Sequence, residues 1–417
     1  MVATSALGDL LTTLLERRPF GRRVDDKRPI EDSCLTLLSE TAEVSGQHQA
    51  TRILSRYRML DSDQRTAFFK FLNDDLDLDG ETLSERARAY SREPSPENFV
   101  ALSRASESKR LNLFRRLNEA QGATAEIVNM REDLLAAVER APELARTDHD
   151  LVHLLRSWFN RGFLVIRRIN WDSPASILEK IIAYEAVHQI RTWDDLRLRL
   201  QPSDRRCFAF FHPSMPDEPL IFVEVALTRG IPTSVQTVLS ESRECIADTA
   251  ADTAVFYSIS NCQRGLAGIS FGNSLIKHVA SDLSLKLPNI RAYVTLSPIP
   301  GLMLWLRNRG IAVEVDDSEM LEQLAAKYLL EARLPDGQPL DPVARFHLGN
   351  GAAIHAIHAG ADLSENGMAQ SSGVMVNYTY DLPRISRNTI RYSRNREVIA
   401  SAAVKSRAKR APGSGRG

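Results

Sequence analysis

Residues 254–301 read AVFYSISNCQRGLAGISFGNSLIKHVASDLSLKLPNIRAYVTLSPIPG. Two apolar runs, AVFYSIS at 254–260 and RAYVTLS at 291–297, have the composition of buried strands. Between them Leu275, Ile276, Val279, Leu283 and Leu287 fall on one face at helical spacing. Strand, loop, helix and strand in this length make a βαβ unit, which predicts parallel strands and a right-handed crossover. The loop NCQRGLAGISFG at 261–272 places Gly265, Gly268 and Gly272 just before the helix. Glycines let backbone N–H groups approach a ligand, and a helix N-terminus favours an anion, so phosphate is the natural guest. Arg264 adds a possible direct contact. The spacing is neither a dinucleotide fingerprint nor a P-loop. A glycine-rich turn that serves only packing is an equal reading of the loop alone.

The second strand stops at Ser297, and Pro298, Pro300 and Gly301 follow at once. Turn chemistry accounts for this, since proline cannot continue a ladder and glycine permits a tight reversal. The other reading is that the stiff exit holds Ser297 still for chemistry. Both the glycine loop and Ser297 follow the carboxyl ends of neighbouring strands, where open α/β sheets bind ligands. A ligand with its phosphates on the loop presents its other end to Ser297. Coenzyme A thioesters have that shape. The arrangement resembles the core of the GNAT acyltransferase fold, to whose pyrophosphate loop Gln263–Gly268 is a loose match.

Working outward, CFAFF at 207–211, LIFVEVALT at 220–228 and GVMVNYTYDLP at 373–383 are further strands, with Tyr378 and Tyr380 sharing a face of the last. DPVARFHLGNGA at 341–352 holds His347 on an apolar stretch before a Gly-Asn-Gly turn. It is either a core histidine or a general acid–base group at a cleft edge. His355 and His358 do not complete a metal motif. Before residue 160 strand signals are almost absent. Helices are expected over 124–140 and 150–164, with starts at Asp61/Gln64 and at Ser95-Pro96. These signals divide the chain into a helical domain at 1–148, a catalytic domain at 149–400 and a disordered basic tail at 401–417.

The chain has 417 residues, 43% of them hydrophobic and 25% charged, and its formal net charge is zero. That balance supplies no field for nucleic acid or an anionic membrane. Residues 1–23 read as an amphipathic helix rather than a signal peptide. Cys34, Cys207, Cys245 and Cys262 form no CxxC pair, which suits free thiols in a reducing compartment and no metal site.

Several long segments in order resemble the malonyl-CoA decarboxylase family. They are GFLVIRRINWDSP at 162–174, HPSMPDEPLIFVEVALT at 212–228, FYSISNCQRGLAGISFGNSLIKHV at 256–279, LSPIPG at 296–301, DPVARFHLGNGA at 341–352 and MVNYTYDL at 375–382. The resemblance implies a helical N-terminal domain used in assembly of a dimer or tetramer and a GNAT-like α/β catalytic domain. It implies conversion of malonyl-CoA to acetyl-CoA and carbon dioxide without metal or organic cofactor, within malonate or fatty acid metabolism; the tail reads SGRG and not an SKL-type peroxisomal address, so a cytoplasmic location is expected. The catalytic residues it implies are Ser297 and His347. The substrate-binding residues are Arg264, Gly265, Ala267, Gly268, Ile269, Ser270, Phe271, Gly272, Asn273 and Tyr380. Animal members carry a glutamate where this chain has Ser270, so a mechanism that needs that carboxylate lacks it here. Ser297 is expected to contact the departing carboxylate, and a protonated His347 to protonate the enolate. The rival readings are an acyl-CoA N-acyltransferase and a non-catalytic malonyl-CoA sensor.

Overall fold

The computed structural model describes residues 28–269, 275–313 and 317–411. The amphipathic helix expected over 1–23 lies outside them. The chain divides into two compact units, one ending at Gln121 and one beginning at Gly122.

The first unit is helical, with Ile30–Ser39, Glu43–Arg58, Ser62–Asp74, Gly80–Arg92, Pro96–Ala105 and Lys109–Leu117 and no strand among its described residues. Its helix starts follow the sequence. Asp61 accepts the N–H of Gln64 at 2.9 Å while Gln64 accepts the N–H of Asp61 at 3.0 Å, a reciprocal cap. Ser95 caps the helix that Pro96 begins. Tyr57, Phe68 and Phe69 pack their rings into the core, with Tyr57 and Phe68 centroids 5.5 Å apart.

The second unit is built on one eight-stranded sheet. Its strands are β1 (Val165–Ile169), β2 (Arg205–Phe211), β3 (Ile221–Thr228), β4 (Thr253–Asn261), β5 (Ala292–Thr295), β6 (Ser297–Pro298), β7 (Ala353–His358) and β8 (Met375–Thr379). β1 to β4 form an antiparallel meander. β5 runs parallel to β4, as the βαβ reading requires, and the helix Leu275–Lys286 makes the crossover. β8 is antiparallel to β5, β6 and β7. Every β3 residue but the last is buried, as expected of a strand covered on both faces.

Two features of this sheet position the site. β4 and β5 stay paired only from Thr253/Ala292 to Phe256/Thr295. The N–H of Leu296 donates to the Phe256 carbonyl, and β4 then runs on to Asn261 alone on that side. Just there Tyr257 is skipped in the β3 register, a bulge that turns β4 away. The sheet opens between the two strands at their carboxyl ends.

The period change in the sequence suggests a boundary near 148. The compact units meet at 121/122, and the helix Ala123–Val138 packs with the sheet: Val128 joins the core that covers one sheet face. The helix expected over 150–164 runs from Ala145 to Trp158. The expected disorder of the tail fails over its first part. Ala402–Arg410 is a helix, capped by Ser401, that buries Val404 and Ala408. Residues 412–417 lie outside the described residues.

Opposite the Val128 face lies a buried ion pair. Glu224, in the middle of β3, accepts from Arg199 Nη1 at 3.0 Å. Burial raises the Glu224 carboxyl to about 7, with Arg199 opposing the shift. All four cysteines are free, and Cys245 alone is exposed. Among the described residues no helix is long and apolar enough to cross a membrane.

Candidate active site

The sequence TLS at 295–297 puts Thr295 and Ser297 on one face of an extended chain, two residues apart. Ser297 donates from Oγ to Thr295 Oγ1 at 2.8 Å. Thr295 Oγ1 also accepts the backbone N–H of Tyr378 at 3.1 Å, which ties the pair to β8. On the other side Ser297 Oγ lies 3.1 Å from Nε2 of His347. His347 sits in the last turn of the helix Pro342–Gly349, and its Nδ1 is 2.8 Å from the Tyr380 hydroxyl. With the Ser297 hydrogen given to Thr295, His347 carries its proton on Nε2 and donates to Ser297, while Nδ1 accepts from Tyr380. The result is one hydrogen-bonded chain: Tyr380, His347, Ser297, Thr295.

The surroundings of that chain are dry. Ser297, His347 and Tyr380 are each at most 5% exposed. The imidazole stacks on Tyr378, centroids 4.5 Å apart, and Phe346 meets it edge-on. Burial pulls the His347 pKa down to about 3. A helix C-terminus favours imidazolium by a few tenths of a kcal/mol to about 1, too little to offset that desolvation. Burial therefore favours the neutral ring in the unliganded protein. Burial also pushes the phenols of Tyr378 and Tyr380 well above their ordinary range.

The glycine loop lies at the same end of the sheet as Ser297. Arg264–Leu266 forms a single tight turn. A Cβ on Gly265 would sit 1.8 Å from the Val128 carbonyl oxygen, so only glycine lets the loop pass the helix Ala123–Val138. Gly268 has φ +76°, a left-handed turn natural to glycine. The Arg264 side chain is 86% exposed and pairs with Glu132 at 3.8 Å. Ala267 and Ile269 complete the described part of the loop. Ser270, Phe271, Gly272 and Asn273 lie outside the described residues.

The chain belongs to the malonyl-CoA decarboxylase family. Residues 76–159 match its N-terminal domain, and residues 162–318 and 311–415 its C-terminal domain. The mitochondrial malonyl-CoA decarboxylase of the goose Anser anser anser is 36% identical over 70% of this chain and 68% of its own length. The crystal structure of malonyl-CoA decarboxylase from Rhodopseudomonas palustris superposes with a TM-score of 0.86 at 46% identity, covering 90% of this chain and 98% of that one. That from Agrobacterium vitis gives 0.86 and 46%, covering 91% and 99%. Membership makes the protein a carboxy-lyase. The expected fold class, helical N-terminal region followed by a mixed α/β sheet domain, holds.

Three site residues escaped the sequence reading. Thr295 was signalled by its spacing from Ser297. Asp341 was signalled by the Asp-Pro pair that starts the His347 helix: it accepts the Ala344 N–H at 2.8 Å. Arg131 had no local signal. Its Nη1 donates to the carbonyls of Gly265 at 2.7 Å and Ala267 at 2.9 Å, and its Nε to Asp148 at 2.7 Å. It holds the loop by its backbone. Among the described residues no three His, Cys, Asp or Glu side chains are grouped to hold a metal ion.

Proposed function

We propose that the protein decarboxylates malonyl-CoA to acetyl-CoA and carbon dioxide, with Ser297 and His347 as the catalytic pair. The observation that carries this reading is the Ser297–His347–Tyr380 chain, buried among aromatic rings, on a sheet that opens beside a glycine loop. The CoA diphosphate rests on the loop around Gly265–Ile269 with Arg264. The pantetheine amides bond the free edge of β4 past Phe256, as an added strand would. The malonyl end then reaches Ser297.

The thioester carbonyl is its own electron sink, so the chemistry requires neither a metal nor a Schiff base. The Ser297 hydroxyl donates to the malonyl carboxylate and holds it out of the thioester plane. The apolar walls replace its water, which favours loss of the charge as neutral carbon dioxide. The C–C pair moves onto the thioester as an enolate. The proton on C2 comes from His347. The incoming carboxylate offsets the desolvation of the ring, so His347 takes up a proton as substrate binds and passes it from Nε2 to C2. One proton is consumed per turnover, as the overall reaction demands. The helical unit is read as the assembly surface of a homo-oligomer, supported by exposed Val44, Met59, Phe99 and Val100. Free thiols fit a cytoplasmic location.

The test is purified protein with malonyl-CoA and EDTA, followed by mass spectrometry. Acetyl-CoA without free CoA supports the reading. Intact malonyl-CoA removes it, and free CoA that appears only with an added amine moves the case to an acyltransferase.

A further inference from the structure

We propose that Thr295 and Asn377 are positioning residues whose side chains stand in for one rung of the β5–β8 ladder, and that this exchange sets where Ser297 Oγ stands relative to His347. The inference rests on the catalytic reading above. Thr295 and Asn377 are both 0% exposed.

The register is the same on either side of the exchange. Val294 faces Thr379, and Ser297 faces Val376, an equal step along both strands. The Tyr380 N–H donates to the Tyr293 carbonyl at 2.8 Å. Antiparallel alternation puts the next bond of that kind from the Tyr378 N–H to the Thr295 carbonyl. Thr295 and Tyr378 are instead unpaired in the register, and side chains satisfy both groups. The Tyr378 N–H donates to Thr295 Oγ1 at 3.1 Å, and Asn377 Nδ2 donates to the Thr295 carbonyl at 2.8 Å. The same Nδ2 lies 3.5 Å from the Pro232 carbonyl. His358, on β7, donates from Nε2 to Asn377 Oδ1, which fixes the way the amide points.

The exchange places a threonine hydroxyl within the ladder, and that hydroxyl accepts from Ser297 Oγ at 2.8 Å. In an ordinary rung Thr295 Oγ1 would take no part in holding the strands. The chain of β8 also carries the holds on His347. The Tyr378 ring stacks on the imidazole, and the Tyr380 hydroxyl, just past the strand, bonds Nδ1. One segment therefore locates both Ser297 and His347. Catalytic geometry tolerates errors of about 0.5 Å, so an altered rung costs rate more than affinity.

The experiment compares wild type, Thr295→Val, Thr295→Ser and Asn377→Leu on malonyl-CoA, with hydrogen exchange at the Tyr378 amide. Valine matches the shape of threonine and removes the acceptor, whereas serine keeps it. Thr295→Val is expected to lower kcat roughly tenfold or more with KM within about twofold, and to speed exchange at Tyr378. Thr295→Ser should recover kcat to within about threefold of wild type, since its hydroxyl restores the rung. Asn377→Leu should lower kcat in the same sense as Thr295→Val. Wild-type kcat in Thr295→Val, a loss that Thr295→Ser does not recover, or a rise in KM in place of the fall in kcat overturns the proposal. If Thr295→Val does not fold, Asn377→Leu decides, and wild-type kcat there overturns it. If wild type has no activity, the catalytic reading fails, and Tyr378 exchange alone decides whether the Thr295 hydroxyl holds β8.

Discussion

Ser297 Oγ and His347 Nε2 stand 3.1 Å apart although fifty residues separate them in the chain. A contact made by two rigid segments acts as a unit. Ser297→Ala and His347→Asn should each lower kcat roughly a hundredfold or more, the scale of positioned acid–base groups. The double variant should cost no more than the worse single one. Steady-state kinetics of the three variants checks this, and simple multiplication of the two losses would show that the residues work independently.

Tyr380 sets which nitrogen of His347 carries the proton. Tyr380→Phe removes the partner of Nδ1 and leaves that nitrogen buried without one. A fall in kcat of roughly tenfold with KM little changed is expected, since the loss is about one hydrogen bond's worth of orientation, ~1–2 kcal/mol. A nitrogen-15 shift of the imidazole should report the altered tautomer. An unaltered shift would remove this role.

His347 also shapes the pH dependence of stability. Its folded pKa, about 3, lies below the ordinary 6.5. The unfolded chain therefore binds the extra proton between those values. The contribution is fully present above about pH 6.5 and is lost as pH falls toward 3. Its full size is a few kcal/mol at about 1.4 kcal/mol per pH unit. Denaturant titrations of wild type and His347→Asn across this window should diverge, wild type losing stability more steeply. Parallel curves would mean the ring charges in the folded protein.

Glu224 works in the opposite sense. Its folded pKa, about 7, lies above the ordinary 4.5. Its contribution is present below pH 4.5 and is lost as pH rises through 7. Glu224→Gln should flatten that part of the stability profile. Arg199→Met strands the carboxylate and should cost about 3–5 kcal/mol above pH 7, less below it. Equal losses at pH 5 and pH 8 would contradict the assignment.

Arg131 should govern binding more than chemistry. Arg131→Met frees the carbonyls of Gly265 and Ala267, so KM for malonyl-CoA should rise roughly tenfold while kcat changes less, the cost of one or two charge-assisted hydrogen bonds. Gly265→Ala should do the same with a larger loss of stability, because its Cβ meets backbone. A fall in kcat alone in the Arg131 variant would place the residue in the chemical step.

What the sequence discloses follows from how local each signal is. β4, β5 and the helix between them are legible because apolar periodicity is a property of neighbours in the chain. The pairing of Ser297 with His347 could be read only through family likeness, since nothing in LSPIPG names a partner fifty residues on. Arg131 was illegible for a further reason: it binds carbonyls, which every residue has, 134 and 136 positions away. The helix Ala402–Arg410 was hidden by its Lys and Arg. Only Val404 and Ala408, one turn apart, mark its buried side. The neutral state of His347 depends on Phe346, Tyr378 and Tyr380 closing around it, a matter of tertiary packing rather than residue type.

The clasp of Arg131 on the loop decides where the gene can be cut. A fragment that starts at 149 discards the helix Ala123–Val138, and with it Arg131 and the Val128 carbonyl against which Gly265 lies. A fragment that starts at Gly122 keeps both. Anyone seeking the shortest version of this catalyst, or grafting it beside another enzyme, should make the upstream junction at 121/122: the longer fragment should bind coenzyme A, and the shorter should fail to do so even where its sheet is intact.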